Sequence, residues 1–110
     1  MSVYNSKKEH DEAVERISEM EERFDRVQSA ANELSRALDD FSGVISDLQA
    51  LRKYYTGEKW KQDFRADENG ELPSDLKRGV LSEDSIWNLL DKNSQLAEAM
   101  RKLSYEMLEE

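Results

Sequence analysis

Between Asp11 and Tyr55 the apolar side chains return every three and then four residues without losing phase. With Ile17, Phe24, Ala31, Leu38 and Ile45 at heptad position a, Ala13, Met20, Val27, Leu34, Phe41 and Leu48 fall at d. Ala30, Ala37, Val44 and Leu51 occupy the flanking g position, so the stripe is wider than a two-stranded seam needs. The pattern predicts a long helix over 11–56, roughly 65 Å at 1.5 Å per residue, after a flexible N-terminus over 1–10. Glu12/Arg16, Glu19/Arg23 and Glu22/Arg26 are i,i+4 pairs in the favourable order, each worth about 0.2–0.5 kcal/mol. Ser42-Gly43 is the weak point, yet the four-residue step from Phe41 to Ile45 keeps the phase across it. That favours one helix, with a bend allowed, over a helix–turn–helix.

A second stripe, Ile86, Leu89, Leu96, Met100, Leu103 and Met107, predicts a helix over 82–108. Ser82 is its N-cap, Glu83 and Asp84 suit the positive end of the helix dipole, and Leu81 with Ile86 forms a hydrophobic staple. Asn93 stands where an apolar a residue is due, as a register-setting buried amide or as a loose point in the seam. Between the stripes, 57–81 reads as an ordered connector. Thr56-Gly57 stops the first helix, with Gly57 suited to a left-handed cap. Glu58 to Glu68 forms a short helix with Trp60 and Phe64 on one face, and Asn69-Gly70 and Pro73 turn the chain.

These elements make one all-α domain over 1–110, an elongated antiparallel helical hairpin completed as a bundle by oligomerisation. The second long helix spans only about 42 Å. Folded back, it would cover Val27 to Tyr55 and leave Ala13, Ile17, Met20 and Phe24 for a partner or a second copy, a dimer being favoured.

Charge narrows the partners. The chain carries 25 acids against 16 bases, net −9, with both helical ends acidic and the connector nearly neutral. Such a surface repels phosphate backbones and anionic membranes, so neither nucleic acid nor membrane is an expected partner. Cysteine is absent, which excludes disulfides, thiolate metal sites and thiol nucleophiles. No apolar run approaches a membrane span and the N-terminus lacks a signal-peptide core, so a cytoplasmic protein is expected.

The chemistry-bearing residues give little. The stretch around "DENG" aligns Asp67, Asn69 and Gly70 with an EF-hand loop but puts Arg65 and Leu76 at the two anchoring acid positions. Asp63, Asp67, Glu68, Asp75, Glu83 and Asp84 are carboxylates in a chain rich in them, and the single histidine, His10, lies among charged residues. No phosphate-binding loop or nucleophile motif is present. Neither an enzymatic activity nor a cofactor is expected. Docking residues remain: Trp60, Phe64 and Trp87 as aromatic anchors, and Lys77 and Arg78 as bases in an acidic chain. The favoured reading of the same stretch is structural: Trp60, Phe64, Leu72 and Leu76 cap the end of the helix pair while the charges form local salt bridges. A different class of function, an acidic inhibitor seated on the basic site of a nucleic-acid-binding protein, is the alternative.

Three motifs carry a family resemblance: "RI-x-x-ME" at Arg16, Ile17, Met20 and Glu21; "YY-x-x-x-x-W-x-x-D" at Tyr54, Tyr55, Trp60 and Asp63; and "DE-x-G-x-LP-x-DLKRGVLSED" from Asp67 to Asp84. In these the chain resembles the bacterial domain of unknown function 4298 family, over about residues 16–100. The resemblance implies a small cytosolic helical protein and supplies no reaction, cofactor or catalytic residue.

Overall fold

A computed structural model of the chain describes residues 2–109. The described chain is all-helical: α1 (Lys7–Ser42), α2 (Ile45–Tyr55), α3 (Glu58–Glu68), a 3-10 turn (Gly79–Leu81) and α4 (Glu83–Leu108). It divides into two compact units, Met1–Ile45 and Ser46–Glu110.

The first unit is essentially α1. Its start lies four residues before the expected one, because Ser6-Lys7-Lys8-Glu9 is a capping sequence. Ser6 Oγ accepts from the Glu9 amide at 3.1 Å, and the Glu9 carboxylate accepts from the Asn5 amide at 2.8 Å. Tyr4 lies edge-on to His10, ring centroids 5.9 Å apart, so this segment is ordered onto the first turn. The helix ends at Ser42. Gly43 keeps right-handed helical angles (φ −67°, ψ −18°), but the Val44 amide bonds Phe41 rather than its i−4 carbonyl, at 3.0 Å. The Ser-Gly pair therefore interrupts the expected single helix, which stops at Ser42 and is followed by α2 from Ile45.

Only Ala13 is buried along α1. Val27, Leu38 and Phe41, expected under the returning helix, are exposed. The three expected Glu–Arg pairs are not among the ion pairs of the described residues, in keeping with the entropy of holding long exposed side chains together.

The second unit has a core of Trp60, Leu81 and Ile86, with Leu51, Tyr54, Tyr55, Phe64, Leu72 and Leu90 packed half-buried around it. Here local sequence and structure agree closely. α3 has the expected limits, and α4 begins at the expected cap, Ser82 Oγ accepting from the Ser85 amide at 3.4 Å. Both staple residues are core residues. Gly57, however, is not left-handed: at φ −100° and ψ 170° it is extended and precedes α3 as its N-cap. It is small for another reason, since a Cβ there would meet the Lys53 carbonyl at 3.2 Å. The left-handed position is Gly70 (φ 71°), which ends α3 in a Schellman turn: Glu71 N–H to Ala66 O at 2.9 Å and Gly70 N–H to Asp67 O at 3.1 Å. α4 joins the core through Ile86 and Leu90, Asn93 is half-buried, and every described residue from Ser94 onward is exposed.

Candidate functional site

The 57–81 connector is built as a corner around one indole. Glycine-started α3 carries Trp60 and Phe64 one turn apart, and their rings stack at 5.2 Å with planes 21° apart. Tyr55, at the end of α2, meets Trp60 edge-on at 4.9 Å and 81°. The indole Nε1 donates to the Val80 carbonyl at 3.0 Å, which ties the 3-10 turn to α3 and satisfies the one polar atom of the buried ring.

Arg78 closes the same corner. Its guanidinium donates to the Asp67 carboxylate, to the Pro73 carbonyl and, through Nε, to the Leu76 carbonyl at 3.3 Å. One rigid fork thus holds the C-terminal end of α3 and both sides of the Pro73 turn. Asp67 is accordingly engaged, and Arg65 to Glu68 are helical, so this stretch does not have the backbone of a calcium loop. Among the described residues no three His, Asp or Glu side chains gather as metal ligands.

Asp63 has a partner as well: Tyr54 Oη donates to it at 2.5 Å. Burial, then this hydrogen bond and the carboxylate's charge, push the Tyr54 phenol up to about 12. It stays a protonated donor near neutral pH, joining α2 to α3. Glu83 and Asp84 sit in the first turn of α4, where they complement the helix dipole. Asp63, Asp67, Glu83 and Asp84 therefore each have a local structural role.

The candidate docking residues divide accordingly. Trp60 is buried and Phe64 half-buried in the corner, and Arg78 is spent on it. Lys77 is exposed and lines an open cavity of ≈ 290 Å³ with Leu51, Val80, Ile86 and Leu89. Trp87 is 54% exposed on α4. On α1, Ala13 is already buried, whereas Ile17, Met20 and Phe24 are each more than half exposed. Val27, Leu38 and Phe41 extend that exposed face, and sequence reasoning had assigned them to an intramolecular contact. The signal for them was the unbroken heptad phase itself, which does not say which helix fills the seam.

The fold and these surfaces define a class: an acidic all-helical protein with a small aromatic corner and long helices whose apolar faces are open. The family model described as "Domain of unknown function (DUF4298)" matches residues 17–103, well over half of the chain, and the protein belongs to that family. No curated protein and no solved structure matches it. No helix among the described residues is long and apolar enough to cross a membrane.

Proposed function

We propose that the protein is a non-enzymatic, cytoplasmic bacterial interaction or scaffold protein that works through its helices, as a homo-oligomer or with a protein partner. The observation that carries this reading is α1. It runs for 36 residues with a continuous apolar stripe and buries one alanine. Tertiary packing of such a face supplies most of a helix's stability in proteins, and large exposed apolar faces mark interaction sites. The corner around Trp60 serves as the anchor from which α4 presents a second stripe through Leu96, Met100 and Leu103.

Light scattering of the intact chain, alone and with Ile17→Ser/Phe24→Ser, tests the reading. Association lost on substitution is the expected result. A stable monomer whose partner binding survives the double substitution would overturn it. The acidic-inhibitor alternative rests on net charge and requires binding to a basic target that weakens steeply with salt. Binding through the stripe does not.

A further inference from the structure

We infer that the occupant of the α1 stripe is α1 of a second copy, lying parallel and in register. This rests on the reading above and names its partner and orientation. Six side chains set the face: Ile17, Met20, Phe24, Val27, Leu38 and Phe41, between 37% and 67% exposed. At roughly 80–100 Å² left open on each, two copies would cover on the order of 1,000–1,200 Å², the area at which specific interfaces begin. The face has a strict seven-residue repeat, which a straight helix cannot track over this length and a supercoiled partner of the same period can. A second copy has that period by identity.

Charge at the flanking positions selects the orientation. Arg16 and Arg23 stand at g, and Glu21 and Gln28 stand at e. In a parallel pair each g residue faces the e residue five positions later on the other helix. Arg16 then meets Glu21, and Arg23 meets Gln28, on both sides of the seam. Neither arginine has an ion pair among the described residues, so both are free to turn outward. In an antiparallel pair g faces g, and the C-terminal half offers only Ala30, Ala37 and Val44 there. Glu21 would likewise face Ser35 or Ser42 at e. The antiparallel arrangement leaves every flanking charge unmatched. Ala13, already buried, places the start of the seam at Ile17.

The absence of cysteine makes the test direct. Met20→Cys and Leu38→Cys, each alone in the full chain, are oxidised mildly and compared with Glu22→Cys on the outer face, helicity being checked by circular dichroism. Each seam cysteine is expected to link to itself at least about tenfold faster than the outer one, because pairing raises its effective concentration. Glu21→Arg is expected to raise the dissociation constant about tenfold, and Arg16→Glu/Glu21→Arg to restore it. Linking only in a mixture of Met20→Cys with Leu38→Cys would show an antiparallel seam and overturn this inference while leaving the stripe as an interface. A double charge variant no tighter than Glu21→Arg would overturn it too. A monomer that forms no link, yet binds another protein in a Phe24→Ser-sensitive way, overturns the second copy as occupant and keeps the interaction reading. A monomer with no such binding ends both.

Discussion

Replacing Arg78 should unlock the corner. The guanidinium bonds one carboxylate and two carbonyls, and the Arg78 and Asp67 side chains are 32% and 26% exposed. A solvent-exposed ion pair contributes about 0–1 kcal/mol, and a well-shielded bond to a charged group about 1.5–3 kcal/mol. At this intermediate exposure, and because the three bonds share one side chain, Arg78→Ala should cost about 2 kcal/mol. Arg78→Lys should recover only part, since an ammonium reaches one of these partners as a point charge and cannot fork between them. Urea unfolding read by Trp60 fluorescence, in a Trp87→Phe background, is the assay. Trp87 is half exposed, so removing it should change stability by no more than about 0.5 kcal/mol. With a urea slope of about 1–2 kcal/mol/M, the Arg78→Ala midpoint should fall by about 1–2 M. An unchanged midpoint would refute the role assigned to Arg78. Full stability in Arg78→Lys would refute the fork geometry.

Other consequences are as concrete. Tyr54 should titrate near 12 by ultraviolet absorbance, and Asp63→Asn should bring it back toward the ordinary value of 10. Because the folded phenol holds its proton more tightly than the unfolded one, its contribution is complete below pH 10 and is lost as pH rises toward 12. Gly70→Ala should cost about 1–2 kcal/mol from its positive φ alone, as nothing lies within 4 Å of the added methyl group. Ser82→Ala should cost about 1 kcal/mol, seen as earlier unfolding of the Trp60 environment. Raising ionic strength should strengthen self-association, because two chains of net −9 repel and salt screens that repulsion. Sedimentation across a salt series checks this.

Local chemistry was the legible part of the sequence. The Ser82 cap, the Leu81/Ile86 staple, the limits of α3 and the turn at Asn69-Gly70 each depend on a few neighbouring residues, and all are where the pattern placed them. Ser6 to Glu9 was equally readable and marks the true start of α1. Gly57 was not, because its smallness answers a carbonyl brought close by α2 rather than a backbone angle. At Gly43 the helical ladder lapses between Ser42 and Ile45, which the unbroken periodicity of the sequence does not register. The docking residues divided for a related reason. Heptad spacing identifies an apolar face but carries no address, so it could not say whether a helix of the same chain covers Val27 and Phe41, which are exposed. Arg78 was readable as a docking base or as half of a local salt bridge, and its partners, Asp67 and the Pro73 carbonyl, meet it only once the turn has formed.

The most direct test of the α1 stripe as an interface is the mass of the intact chain by sedimentation equilibrium, alone and as Ile17→Ser/Phe24→Ser. A mass near twice the 12.8 kDa of one chain, reverting to one chain in the double variant, is the expected result. A mass of 12.8 kDa at every concentration, with the double variant indistinguishable in all its binding, would contradict it.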